Sequence, residues 1–198
     1  MFPVLENTRW LVLWASWTQS ALMPIPFEIA ERIFVAEKQL ISPVWRDIQN
    51  VTKSEQHRKL ECRVTIAGGM PRGVTFRVTL FPRNLNSATF QLECDRPDIK
   101  SRVPLYRLEL APLSAHSNGP YGTDEINGLY IEPGVTHEHD FHDSLTKDGQ
   151  LRLRSCEQAR VVANPPRDFA TALRYVCSRI NVINALDVPN PGTQGWLL

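Results

Sequence analysis

The chain lacks the short patterns that announce a known chemistry. Its four cysteines, Cys62, Cys94, Cys156 and Cys177, include no C-x-x-C pair, which excludes a zinc ribbon or a thioredoxin-type motif. It contains no G-x-S-x-G and no H-E-x-x-H, and the glycines of AGGMPRG, residues 67–73, lack the GK[ST] context of a phosphate loop. Charge of one sign is also missing. The 22 basic and 21 acidic residues leave a net +1, so no global field draws the chain to nucleic acid or to a membrane. Ser16, Thr18, Gln19 and Ser20 interrupt the apolar stretch TRWLVLWASWTQSALMPIP well short of the roughly 20 residues that a membrane span requires. No membrane partner is expected. What remains, 198 residues of which 42% are hydrophobic, suits one globular unit with a sizeable core.

Periodicity orders most of that unit. FEIAERIFVAEKQLI spaces Ala30, Ile33, Phe34, Glu37, Leu40 and Ile41 at three- and four-residue steps between Pro26 and Pro43, and predicts an amphipathic helix. The pattern then changes to period two. KLECRVTI, VTFRVTLF, ATFQLECD and PLYRLEL alternate apolar and polar residues and predict the strands of an antiparallel meander, either open or closed into a barrel. APLSAHSNGPYGTDEING is a long loop rich in Pro, Gly, Ser and Asn. GLYIEPG and QARVVA are short strands, and PPRDFATALRYVCSRINVI is a second helix with Phe169, Leu173, Val176, Cys177, Ile180 and Ile183 on its apolar stripe. Cys62 and Cys94 fall on apolar strand positions and Cys177 on an apolar helix face. They read as buried small hydrophobes, in keeping with a reducing, cytoplasmic setting. The expected organisation is a single α+β domain over residues 23–186, with an N-terminal extension at 1–22, Met23 as a second candidate start, and a loose tail at 187–198.

The order AERIFVAEK, LFPRNLNSATF, LYRLELAP, HSN, EINGLYIE and H-x-H, with a closing amphipathic helix, resembles an uncharacterised family of bacterial and mobile-element proteins known only as a domain of unknown function. The resemblance covers about Ile25 to Val182 and implies an arrangement of residues, with no assigned activity. Where that family carries an apolar residue inside H-x-H this chain has Glu138, which argues against a strand buried on both faces.

The chemistry concentrates in EPGVTHEHDFHD, residues 132–143, which holds three of the five histidines after a Pro-Gly turn. On a strand, His137 and His139 share one face and His142 takes the other. On a helix, His139 and His142 pair instead. A metal site therefore needs a distant third ligand, for which His116, Asp124 and Glu125 are candidates. The segment is also similar to the Pro-Gly-then-H-x-H start of the cupin motif, with Asp143 or Ser144 where that motif has a glutamate. A second reading is metal-free acid/base catalysis of phosphodiester cleavage, in which His116 pairs with His137 or His139, Arg107 supplies the cation, and Arg83 and Asn84 assist. The third is a solvated histidine hairpin with Arg107 in a structural ion pair. The function expected is a small accessory-genome enzyme, toxin- or defence-like, that uses the cluster for hydrolysis, with a divalent metal ion as candidate cofactor and RNA as candidate substrate. The alternative is a non-enzymatic protein-binding partner.

Overall fold

A computed structural model describes residues 25–49, 56–66, 73–81, 84–95, 102–145 and 156–192. The expected extension at 1–22 and its boundary at Met23 lie outside the described residues, as do Arg83 and the side chain of Asn84.

The first helix, α1 (Phe27–Val35), is shorter than its periodicity predicts. Ala36 is extended and Lys38–Ile41 forms a strand, β1, so Leu40 is buried from a sheet edge and not from a helix face. Then follow β2 (Trp45–Gln49), β3 (Gln56–Ile66), β4 (Val74–Phe81), β5 (Asn84–Asp95), β6 (Arg102–Leu110), β7 (His116–Ser117), β8 (Tyr130–Ile131), β9 (His137–Asp140), β10 (Arg160–Val161) and α2 (Phe169–Arg179). The main sheet runs β1-β3-β4-β5-β6-β9-β10, with β2 also on β3, and every strand pair in it is antiparallel. Among the described residues the sheet is open, because β1 and β10 do not pair, and the barrel alternative is therefore set aside. β7 and β8 form a separate two-stranded piece.

Alternation divides the sheet into two faces. Leu60, Cys62 and Val64 of β3, Phe76 and Val78 of β4, Phe90 and Leu92 of β5, and Tyr106 and Leu108 of β6 pack beneath Ile29, Ala30 and Ile33 of α1 and Ala172, Leu173, Val176 and Cys177 of α2. All four cysteines are free and buried, and burial raises the thiol pKa of each, which fits the reading of Cys62, Cys94 and Cys177 as hydrophobes and adds Cys156 to them. The opposite face carries Lys59, Glu61, Arg77, Gln91, Glu93, Arg107 and Glu109 in cross-strand register.

The helix ends are stitched together at one point. α2 opens with an Asp168–Thr171 capping box and closes with Asn181 in the left-handed region, Val182 N–H returning to the Cys177 carbonyl. The buried Lys38 ammonium donates to the carbonyls of Phe34 and Ala36 at the end of α1 and of Ile180 at the end of α2, at 2.7, 2.6 and 2.8 Å. These are carbonyls that a helix leaves without partners. Burial pushes the pKa of the ammonium down to about 7. Ile183, placed on the helical stripe by periodicity, lies beyond this stop and is exposed, while Val182 is buried. Residues 187–192 are held where a loose tail is expected: Val188 is in the core, Trp45 Nε1 donates to the Pro189 carbonyl at 2.8 Å, and Arg58 bonds that of Pro191. Trp45 packs on Phe169, as a core residue.

No helix among the described residues is long and apolar enough to cross a membrane.

Candidate metal centre

β9 pairs with β6 so that His139 lies opposite Arg107 and His137 opposite Glu109. Residues directly opposite on antiparallel strands project to the same face. These four side chains therefore share the polar face, while Glu138 and Asp140 turn toward the helices. The H-x-H is thus a strand, and His142 lies beyond its end in a 3-10 turn, Phe141–Ser144.

The long loop supplies the third histidine. It leaves β6 through Ala111, whose N–H donates to Thr136 Oγ1 at 3.1 Å, and places His116 on β7 against Ile131 of β8. It returns through the Pro133-Gly134 turn, closed by Val135 N–H to the Glu132 carbonyl and fastened by Gly134 N–H to the Pro112 carbonyl at 2.7 Å. Gly134 has φ +83°, the left-handed conformation that favours glycine. Folding back in this way sets the His116 ring 5.3 Å from His137 and 4.8 Å from His139, centre to centre. Asn118, buried, fixes the arrangement: its amide donates to the carbonyls of Ile126 and Ala159, and its Oδ1 accepts from Ala159 N–H. Ser144 Oγ accepts from the N–H groups of Glu157 and Gln158, which seats the other wall.

Each ring has one nitrogen committed to the backbone. His137 Nδ1 donates to the Val135 carbonyl at 2.9 Å, His116 Nε2 to the Glu157 carbonyl at 3.1 Å, and His139 bonds the backbone of Gln158. Backbone carbonyls accept only, so these contacts fix the tautomers and leave a lone pair on each remaining nitrogen. His137 and His139 are fully buried, and His137 Nε2 has no hydrogen-bond partner. Burial lowers the pKa of both, that of His139 well below the ordinary range with the Arg107 charge adding to the effect, and keeps both rings neutral. One ligand atom from each of the three histidines lies within 4.8 Å of the others. In a tetrahedral zinc site with Zn–N near 2.1 Å the nitrogens stand about 3.4 Å apart. A pair at that 4.8 Å limit would have to close by about 1.4 Å to hold such an ion.

Two charged groups border the cluster. The Glu109 carboxylate lies 3.6 Å from His137 Nε2 and 3.7 Å from His139 Nε2, and binds Arg107 Nε at 3.1 Å. Arg107 Nη2 lies 3.2 and 3.0 Å from the two ring nitrogens of His139 and 3.3 Å from the Cys156 carbonyl. Glu109 and Arg107 are partly exposed, so the site opens to solvent on their side.

His116, His137, His139 and Arg107 are thus brought together, and the two histidines of the H-x-H are buried where a solvated hairpin would expose them. Glu125 is not a ligand, because it is exposed and pairs with Arg160, and Asp124 also stands outside the cluster. Asp143, in the place of the cupin carboxylate, makes a bidentate pair with Arg160 at 2.6 and 2.7 Å. Glu109 and Asn118 are the residues that sequence reasoning missed. The first was detectable, since alternation puts it on the same face as Arg107. A cleft of about 940 Å³ lined by Arg46, Lys59, Glu61, Arg63, Asp95 and Arg102 lies elsewhere on the polar face and shares no residue with the histidines. Set against family models, curated proteins and solved structures, the chain matches none.

Proposed function

We propose that this protein is a metal-dependent hydrolase in which His116, His137 and His139 hold one divalent ion. The observation that carries the reading is the buried Nε2 of His137, without a hydrogen-bond partner, close to two other imidazoles that each bond a backbone group through one ring nitrogen. An orphaned buried polar atom costs about 1–3 kcal/mol and calls for a partner. A metal ligand that anchors its other ring nitrogen on a backbone carbonyl is the usual arrangement around such ions.

An ion on three imidazoles keeps a fourth position open and lowers the pKa of water there toward neutrality. Glu109, at the open side, would serve as the base for such a water, and Arg107 would hold a negatively charged substrate such as a phosphodiester. The convergence of His116 with the H-x-H supports this reading over a non-enzymatic binder. Burial of His137 and His139 disfavours the metal-free alternative, which needs one imidazolium in contact with substrate. The toxin- or defence-like setting remains an expectation of the same proposal.

The test is the metal content of untagged protein purified without chelator, beside a His137→Ala, His139→Ala variant checked for folding by circular dichroism. Hydrolysis of bis-p-nitrophenyl phosphate and of RNA is assayed in the same preparations. Near-stoichiometric metal and chelator-sensitive hydrolysis, both lost in the variant, are expected. Protein that neither carries metal nor takes up added zinc or manganese would refute the centre, and RNA cleavage surviving chelator would favour the metal-free pair.

A further inference from the structure

Resting on the hydrolase reading of the histidine cluster, we propose that the polar face of the sheet is the binding track of a single-stranded nucleic acid, with Arg46 and Arg63 holding its phosphates about 19 Å from the histidines. The track follows from strand register. Glu61 of β3 lies opposite Arg77 of β4, Arg77 opposite Gln91 of β5, Gln91 opposite Arg107 of β6 and Arg107 opposite His139 of β9. One unbroken cross-strand row therefore joins the cleft of about 940 Å³ to the histidine cluster. The neighbouring row runs through Lys59, Thr79, Thr89, Glu109 and His137. All of these side chains are polar and project to the same face. Four strand spacings of about 4.8 Å separate β3 from β9, which sets the distance. It equals about six nucleotides of a stacked strand, and fewer of an extended one, so no single phosphodiester spans it.

A chain of net charge +1 draws in a polyanion only through a local patch, and the far end of the track supplies one. Of the charged groups that line the cleft, Glu61 pairs with Lys59 and Arg102, and Asp95 with Arg102. The buried Glu93 bonds Arg77 and faces Arg102 at 3.7 Å. The carboxylates are thus answered, whereas among the described residues the exposed Arg46 and Arg63 have neither a carboxylate nor a hydrogen-bond partner. Arg46 stands opposite Lys59, and Arg63 lies four residues beyond Lys59 on β3, so the two guanidinium forks border the Glu61 row from either side. Such a fork matches phosphate oxygens in a two-pronged manner. Between the cleft and the histidines, Arg77, Gln91, Thr79 and Thr89 offer hydrogen bonds to a sugar-phosphate backbone and none of the apolar anchors on which a protein interface centres.

Binding of a fluorescein-labelled RNA octamer with cleavage-resistant phosphorothioate linkages is followed by anisotropy over a range of salt. Hydrolysis of an unmodified octamer, a dinucleotide and bis-p-nitrophenyl phosphate is measured on metal-loaded protein. The Arg46→Gln, Arg63→Gln variant is compared with the wild type and with Arg32→Gln, Arg174→Gln, which removes the same charge from the exposed sides of α1 and α2. The first variant is expected to bind the octamer about tenfold or more weakly at low salt, and its slope of log K against log salt should fall by about 1.4, for two phosphates at about 0.7 each. Its kcat/KM for the octamer should fall with binding, while metal content and hydrolysis of the two short substrates stay at the wild-type level. The helix-side variant should bind as the wild type does. A wild type that does not bind the octamer, binding and slope unchanged in the Arg46 and Arg63 variant, or an equal loss in the helix-side variant would overturn the track and leave the metal centre standing. Protein without metal or hydrolysis that still binds the octamer through Arg46 and Arg63 would keep the track and remove the catalytic reading.

Discussion

Replacing Glu138 by alanine should destabilise the protein without touching the histidines on either side of it. Glu138 points away from the histidine cluster, and its Oε2 accepts from Tyr106 at 2.6 Å and Tyr175 at 2.9 Å, with Arg179 Nε at 3.4 Å. Tyr106 is fully buried, so the variant takes the charged acceptor from its hydroxyl and leaves it only the Tyr175 hydroxyl, at a cost of about 1.5–3 kcal/mol for a bond to a charged acceptor. Tyr175 is partly exposed and rehydrates, adding about 0.5–1 kcal/mol. The half-exposed Arg179 pair adds little. The sum is about 3 kcal/mol, or about 6–12 °C in Tm for a chain of this length. The decisive assay is a double-mutant cycle by chemical denaturation. Tyr106→Phe should cost about 1 kcal/mol in the wild type and clearly less in the Glu138→Ala background, where the hydroxyl has already lost its charged acceptor. Metal stoichiometry should stay at that of the wild type throughout. If Tyr106→Phe has the same effect in both backgrounds, the carboxylate does not hold that hydroxyl and the reasoning fails.

Asn118→Ala removes the side chain that ties the His116 loop to Ala159 and should lower zinc affinity by about 10–100-fold, the usual effect of losing a group that orients a ligand. Unchanged affinity in a chelator competition would show that the loop is held in some other way. His142 bridges α1 to the end of β9, with Nδ1 2.5 Å from Asp140 and Nε2 2.6 Å from Glu31, while Arg179 faces Asp140 at 3.6 Å. Burial alone would lower its pKa, but bonds and charge from Asp140 and Glu31 together raise it above the ordinary value. A raised folded-state pKa gives stability that is complete below about pH 6.5 and is lost as pH rises through the folded value. The stability difference between the wild type and His142→Gln should therefore shrink as pH rises above 6.5. A difference that is constant from pH 5.5 to 8.5 would contradict the bridge.

The strands from β3 to β6 were legible because one face of the sheet is apolar and the other polar, so alternation in KLECRVTI or PLYRLEL reports both period and orientation. The first helix was overextended for a different reason. Its three- and four-residue spacing happens to continue through Leu40, yet Leu40 is buried because β1 pairs with β3, a long-range contact that local spacing does not carry. The shared face of His137 and His139 followed from strand geometry, and His116 stood with Asp124 and Glu125 among the candidates for a distant third ligand. Their burial did not follow. A segment rich in histidine and carboxylate reads as wet, and what dries it is the return of the 111–136 loop across β6 and β9, secured by Asn118, Thr136 and the Pro133-Gly134 turn. Glu138 was misjudged in the same way. Its carboxylate looked like a solvent-facing group, whereas two tyrosines, one from β6 and one from α2, take it into the helix-covered side.

Four residues of β9 thus serve two environments at once. His137 and His139 need a dry, polar pocket with their lone pairs free, which leaves one nitrogen without a partner. Such a nitrogen is tolerable only if the strand cannot rotate or slip to find one. Glu138 and Asp140 prevent that, because one residue of slip would carry both carboxylates onto the histidine face and break the bonds to Tyr106, Tyr175 and His142. Pairing with β6 on one side and β10 on the other blocks the same motion through the backbone. The residues that carry the free imidazole nitrogens therefore differ from those that hold the strand in place, and alternation along a single strand keeps the two sets apart. That separation is why the Glu138 variant should lose stability and keep its metal affinity, whereas the Asn118 variant, which also strips buried backbone groups of their partners, should lose both.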